Sequence, residues 1–405
     1  MSKKMVLVLL AALVAVVLSA SATALAASPG ESDSAKGTLG KGELGKNKDF
    51  SGLVDIGGGR KIYMKCRGTG SPTVVLVSGL GNAADVWSVT ADPKNGRPVF
   101  AEVASFTRVC AYDRPGTRRT DDTPSPSPQV PQPTSAKAAA ADLDALLRAS
   151  EEPGPYVLAG HSYGGPIIRL YAGAHPAEVS GLILVDALSE DLPDGLTPKQ
   201  EALLEELNTP PPGTHAESLD ESATFKQLRE SPPAPQVPTV VLTADRTQLT
   251  KEALAKGQFP KGVNQKFADA LWAAQLAAQE KLAKKFPGAE HITDTNSTHY
   301  IQLENPQLVT DSIRRVVDAD RDGANRQSRG AEGFGNATPS ATPSATATVG
   351  ATSSASASAA GAAQYQYTST LPGSGGVSPI LLLAVIPAIV LVVVGLLTAR
   401  LIRIS

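Results

Sequence analysis

The chain has 405 residues, a formal net charge of −2 and two cysteines. Its near-neutral balance gives no reason to expect nucleic-acid binding, and no internal repeat is visible. Between a polar leader and a low-complexity tract lie about 270 residues, which suits one α/β domain carrying a cap.

The first 26 residues read as a secretory signal: Lys3 and Lys4, an apolar stretch from Met5 to Leu18, then the small-x-small run Ala24-Leu25-Ala26. Residues 27–48 are Gly-, Ser- and Lys-rich without apolar periodicity and form a flexible leader. The folded domain is expected over 49–320. It opens with a hairpin, Phe50 to Asp55 and Arg60 to Cys66, around Gly57-Gly58-Gly59. Short Val/Leu/Ile-rich runs follow at 73–78, 107–112, 156–160, 181–186 and 239–243, with Glu290-His291-Ile292-Thr293 as the penultimate element. Such runs suit strands buried on both faces. Helical patterns separate them, from Ser135 to Ala149 and from Asn305-Pro306 to Val317. Alternation of this kind implies a mostly parallel sheet covered by helices on both sides.

Two insertions interrupt the pattern. One, about 188–237, lies between the sixth and seventh strands; its Pro-rich ends flank a helical run from Lys199 to Asn208, and it is expected to form a small cap. The other, 246–286, places Trp272 in an Ala/Gln-rich helix, where core packing and pocket lining are both open to it. From 327 to 376 the composition collapses to Ala, Ser, Thr and Gly, a tract that cannot bury a core and reads as a disordered stalk. An apolar block at 377–399 is long enough for a transmembrane helix, with Arg400 and Arg403 in a basic cytoplasmic tail, 400–405. Leu371-Pro372-Gly373-Ser374-Gly375 precedes it. That order resembles a cell-wall sorting signal, with Ser374 where threonine is usual. Either way the expected location is extracytoplasmic, anchored to the membrane or to the wall.

The most informative stretch is Gly160-His161-Ser162-Tyr163-Gly164, between the apolar run Tyr156 to Ala159 and a helical run from Pro166 to Ala172. Strand, tight Gly-x-Ser-x-Gly turn and helix together push a serine hydroxyl clear of the sheet. Ser78-Gly79-Leu80-Gly81 ends the 73–78 run, Asp245 follows Thr239 to Leu242, and His299 stands in the polar loop Thr295 to Tyr300.

On these residues, together with Tyr112-Asp113-Arg114-Pro115-Gly116, Leu182 to Ala187 and His299-Tyr300-Ile301-Gln302-Leu303, the chain resembles the α/β-hydrolase superfamily over roughly residues 50 to 320. Within it the chain is similar to extracytoplasmic serine hydrolases. The resemblance implies an eight-stranded, mostly parallel sheet with a small cap between strands six and seven. It also implies Ser162 as nucleophile, His299 as general base and acid, Asp245 as the carboxylate orienting His299, and Leu80 and Tyr163 N–H as the oxyanion hole. The chemistry fits: a serine needs an imidazole to take its proton, the imidazole needs a carboxylate to hold its tautomer, and backbone N–H groups receive the developing oxyanion.

Asp186 also ends a strand and competes with Asp245 for the acid's place. Asp113 is expected to cap a turn, and His161 and His291 to be structural. Relatives often carry histidine where Ser78 stands, which leaves the loop's outer hydrogen bonding open. Arg118 and Arg119 replace a Gly-containing run, and are either a solvated basic rim or a seat for an anionic group. In an exported chain the pair Cys66 and Cys110 reads as a disulfide, since the superfamily fold makes the second and fourth strands neighbours; two buried thiols are the alternative. No metal-ligand spacing and no Gly-rich phosphate loop is present, so no metal or cofactor is expected. The expected activity is hydrolysis of a small-molecule carboxylic ester, with amide and thioester bonds open to the same residues. The competing expectation is a non-catalytic surface binding module on a hydrolase scaffold.

Overall fold

The computed structural model describes residues 48–333 apart from Pro212 and Gln258, with side chains described to residue 324. Among the described residues no helix is long and apolar enough to cross a membrane. The expected signal peptide, the leader up to residue 47, the apolar block at 377–399 and the basic tail lie outside the described residues.

Eight strands form one sheet: β1 (Phe50–Gly57), β2 (Arg60–Arg67), β3 (Thr73–Val77), β4 (Val109–Asp113), β5 (Tyr156–His161), β6 (Val179–Val185), β7 (Thr239–Leu242) and β8 (Glu290–Ile292). Their order is β1-β2-β4-β3-β5-β6-β7-β8. The β1–β2 and β2–β4 pairs are antiparallel and the remaining pairs parallel. Cys66 and Cys110 sit directly opposite each other on β2 and β4, with Cα atoms 4.1 Å apart, and are joined in a disulfide.

Strand periodicity of two sends alternate side chains to opposite faces, and both faces are buried. Val75, Val77, Leu158, Leu182 and Leu184 point to one layer; they pack with Leu143, Leu146 and Leu147 of α1 (Ala136–Ala149) and Ile167, Ile168 and Tyr171 of α2 (Gly164–Ala174). Val74, Leu76, Val157, Ala159, Ile183 and Val185 point to the other; they pack with Trp87, Phe100 and Val309, Ile313, Val316 and Val317. These last four come from the final helix, which runs on past its expected end at Val317 to Gly333 and so covers residues 327–333 of the expected stalk. The rest of that tract, 334–376, lies outside the described residues.

The insertion after β6 carries α3 (Pro198–Asn208) and α4 (Glu221–Glu230). Pro198 opens α3, and Thr197 and Gln200 form a reciprocal capping box. No residue of α3 is fully buried; half-buried Leu204 joins Leu192 and Leu196 against Leu271, Ala274 and Ala278 of α5 (Gln265–Lys284). A small satellite cluster thus holds the cap against α5. Trp272, on the same helix, is half-buried and belongs to none of the three buried clusters. The final helix is α6 (Pro306–Gly333).

Candidate active site

β5 delivers Ser162 on a turn that only small neighbours permit. Ser162 has φ 51°, in the left-handed region that non-glycine residues seldom occupy. A Cβ on Gly160 would lie 2.6 Å from the Gly164 carbonyl, and a Cβ on Gly164 would lie 2.3 Å from the carbonyl oxygen of Val77. Both glycines are therefore demanded by close approach of backbone to backbone. The turn is sewn to the neighbouring strand: Ser162 N–H donates to Val185 O at 3.0 Å, and Leu188 N–H donates to Ser162 O at 2.9 Å.

The residue after Val185 is Asp186, also in the left-handed region at φ 40° and 1% exposed. His299 Nδ1 donates to its Oδ2 at 2.6 Å. Ala244 N–H donates to Oδ1 at 3.0 Å, and Gln275 Nε2 of α5 donates to Oδ2 at 3.1 Å. A proton fixed on Nδ1 leaves Nε2 of His299 as the basic nitrogen. The imidazole is further located through its own backbone, because His161 Nε2 donates to the His299 carbonyl at 2.9 Å. The two rings stand 4.6 Å apart.

The expected pairing of His299 with Asp245 is corrected here. Asp245 Oδ2 accepts Asn296 N–H at 2.8 Å and its Oδ1 accepts Ser297 N–H at 2.9 Å. Its carboxylate is spent on the turn leading to His299, where Asn296 takes φ 56°. Asp186 wins the imidazole because it follows the β6 residue that binds the Ser162 backbone, whereas Asp245 stands three residues beyond the end of β7. Asp245 anchors the loop; Asp186 holds the ring.

Among the described residues, neither Leu80 N–H nor Tyr163 N–H has a protein acceptor. A Cβ on Gly79 would lie 3.1 Å from the Ser162 Cβ, so the loop after β3 runs against the serine turn. Ser78 occupies the place of the usual histidine as a small relay, its Oγ donating to Ala83 O at 3.1 Å and accepting from Trp87 Nε1 at 3.1 Å. Asp113 caps as expected: its Oδ1 accepts Ala84 N–H at 2.7 Å and its Oδ2 accepts the Ser125 hydroxyl at 2.9 Å. Burial pushes its carboxyl above the ordinary range. Burial, together with the neighbouring His299, holds the His161 imidazole well below its ordinary pKa, so this ring is neutral. His291 lies apart, against the Thr243 hydroxyl at 2.9 Å.

Arg118 pairs with Asp122 at 2.7 Å on the surface. Arg119 stands 3.9 Å from Asp85 and over the Tyr63 ring. Both are committed to acidic neighbours within the loop region. The ligating atoms of Asp144, His175 and Glu178 are close enough to hold a metal ion, but Arg148 already spans them, bonding both Asp144 oxygens and Glu178 Oε1 at 2.9 to 3.1 Å. Sequence reasoning missed Gln275 and Gln279. The latter's Nε2 donates to Ala187 O at 2.6 Å, beside Asp186. Their signal is i,i+4 spacing, which puts two amides on one helix face.

The sequence model of the alpha/beta hydrolase family matches residues 74–333. An uncharacterised protein of Schizosaccharomyces pombe is 38% identical over 81 residues, 20% of this chain and 14% of that protein. The uncharacterised protein YqjL of Bacillus subtilis is 26% identical over 120 residues, 30% of this chain and 41% of that one. The chain thus spans less than half the length of either relative. Among solved structures, a thermophilic esterase from Thermogutta terrifontis is 19% identical, with 67% of this chain and 99% of that chain covered at a TM-score of 0.42. With the family match extending over most of the chain, from β3 to the end of α6, the chain belongs to the alpha/beta hydrolase family.

Proposed function

We propose that the protein is a serine hydrolase of carboxylic esters, working through an acyl-enzyme. The observation that carries this reading is the 2.6 Å bond from His299 Nδ1 to buried Asp186, at the strand end that also binds the backbone of Ser162. His299 Nε2 takes the Ser162 hydroxyl proton as Oγ attacks the ester carbonyl. Leu80 and Tyr163 N–H receive the negative charge on the carbonyl oxygen, each worth about 3 kcal/mol of barrier. The tetrahedral adduct collapses, the C–O bond to the alcohol breaks, and His299 returns the proton to the departing alkoxide. Water then attacks the acyl-enzyme by the same proton route, releasing the acid and restoring Ser162.

Asp186 stabilises the imidazolium formed in each step, so the acid of this site is Asp186 in place of the expected Asp245. A serine nucleophile argues against dehalogenase or epoxide-hydrolase chemistry, which this fold performs with aspartate. The apolar block at 377–399 and the leading signal support a tether outside the cytoplasm. Release of the domain by protease from intact cells would test that location.

The activity is tested with ester, amide and thioester substrates alongside a fluorophosphonate probe. Hydrolysis by the wild-type chain, covalent labelling at Ser162 and loss of both in Ser162→Ala are expected. A folded wild-type protein that neither turns over nor labels would instead be a binding module on a hydrolase scaffold.

A further inference from the structure

Arg114 follows β4, and Glu217 lies in the insertion between β6 and β7, 103 residues away. Arg114 Nε donates to Glu217 Oε1 at 2.6 Å and Nη2 donates to Oε2 at 3.0 Å. Their side chains are only 3% and 2% exposed. The remaining reach of this forked pair goes to the loop after β3. Nη1 donates to Ser78 O at 2.9 Å, Nη2 donates to Gly79 O at 2.7 Å, and Glu217 Oε2 accepts Gly81 N–H at 2.7 Å. The pair therefore grips the backbone of residues 78 to 81 from one side.

The grip has a directional consequence. The Gly79 carbonyl and the Leu80 N–H belong to the same trans peptide, whose C=O and N–H point opposite ways. Holding that carbonyl on the guanidinium turns Leu80 N–H away from it. The same guanidinium lies 5.3 Å from the centre of the Tyr163 ring, so it stands against Tyr163 as well as against the peptide that carries the Leu80 N–H.

Glu217 is itself delivered by design of the backbone. A Cβ on Gly116 would lie 2.6 Å from Glu217 N, so only glycine lets the insertion pass; Glu217 N–H donates to Gly116 O at 2.8 Å. Ser218 O accepts Thr134 N–H at 3.0 Å, and Asp220 N–H donates to Thr134 O at 2.9 Å. Residues 217 to 220 thus form a strap stitched to the Arg114 loop and to the start of α1.

We propose that Glu217 is a positioning residue contributed by the cap insertion, acting through Arg114 to aim the Leu80 N–H at the developing oxyanion. The inference rests on the hydrolase reading above for its catalytic consequence, while the clamp itself is a separate physical claim. A buried ion pair can serve folding alone, and replacing both partners with apolar residues often preserves stability. That contrast supplies the test.

Glu217→Gln and the double variant Arg114→Met/Glu217→Met are compared with wild type using p-nitrophenyl butyrate, fluorophosphonate inactivation, melting temperature and amide hydrogen exchange. Glu217→Gln is expected to lower kcat about 100-fold with KM within about 3-fold, because an aimed donor acts on the transition state. The double variant is expected to keep kcat low, with melting lowered only by the Ser78, Gly79 and Gly81 backbone groups it leaves unpaired. Its Gly81 and Asn82 amides should exchange at least about 10-fold faster, the first having lost Glu217 and the second its fixed Gly79 carbonyl. A double variant that regains both wild-type melting and wild-type kcat overturns the proposal. So does unchanged exchange at Gly81 and Asn82. A wild-type chain that neither hydrolyses nor labels defeats the hydrolase reading, and the exchange measurement still decides the clamp.

Discussion

His299 Nδ1 lies 2.6 Å from Asp186 Oδ2, across 113 residues of chain, while Asp245 spends its two oxygens on the backbone of Asn296 and Ser297. Two aspartates near neighbouring strand ends thus do different work. Asp186→Asn should lower kcat about 10⁴-fold, since an amide in that place favours the wrong tautomer. Asp245→Asn should keep kcat within about 10-fold but cost about 0.5–1.5 kcal/mol of stability, because one of the two acceptors for the Asn296 and Ser297 N–H groups becomes a donor. Steady-state kinetics and chemical denaturation on both variants check this. The reverse ranking in kcat would restore Asp245 as the acid.

Gln275 shares Asp186 Oδ2 with His299. Gln275→Leu removes one of the donors that fix this carboxylate and should lower kcat about 3- to 10-fold with KM little changed. Unchanged steady-state kinetics would reduce Gln275 to packing.

His161 is buried beside His299, with Arg114 and the Tyr300 ring also facing it, and its pKa is held well below 6.5. The folded state keeps it neutral, whereas the unfolded chain binds a proton as the pH falls through about 6.5. Its contribution to stability is thus fully present above that value. It is lost on acidification, at up to about 1.4 kcal/mol per pH unit, until the folded form also protonates. His161→Gln should flatten this part of the stability-versus-pH curve while still offering an N–H to the His299 carbonyl. Urea denaturation at pH 7.5, 6 and 5 measures it.

The Cys66–Cys110 bond closes a loop with a sequence separation of 44. In the chain-entropy account, that crosslink contributes about 4 kcal/mol by restricting the unfolded chain. A Cys66→Ser/Cys110→Ser variant should melt roughly 10 °C lower for a domain of this size. Calorimetry with and without a reductant checks it, and wild type in reductant should approach the variant.

Much of the frame was legible because it is written locally. The serine turn shows itself through Gly160 and Gly164 on either side of Ser162, and the sheet through short runs such as Thr73 to Val77 whose every residue is buried. The neighbouring of β2 and β4, implied by family resemblance, was enough to pair the cysteines. What stayed hidden depends on side chains meeting across long stretches of chain. Asp186 and Asp245 both follow apolar strands, and nothing in either neighbourhood says which one faces His299. Glu217 sits in a Pro-rich insertion with no motif around it; its place is visible only when the strap at 217–220 is docked on Gly116 and Thr134. Ser78, read as a departure, turned out to be accommodated by Trp87 and Ala83, a partnership that no local pattern announces.

Main-chain bonds alone fasten Ser162 to the end of β6, whereas the turn carrying His299 leans on the side chains of Asp245, His161 and Glu304 in addition to main-chain bonds at Ser297 O. On gentle warming, the nucleophile and its neighbouring strand should endure together until the whole sheet melts. Any earlier, reversible loss of turnover would therefore trace to the imidazole drifting from its seat, with the serine still in place and ready to resume work on cooling.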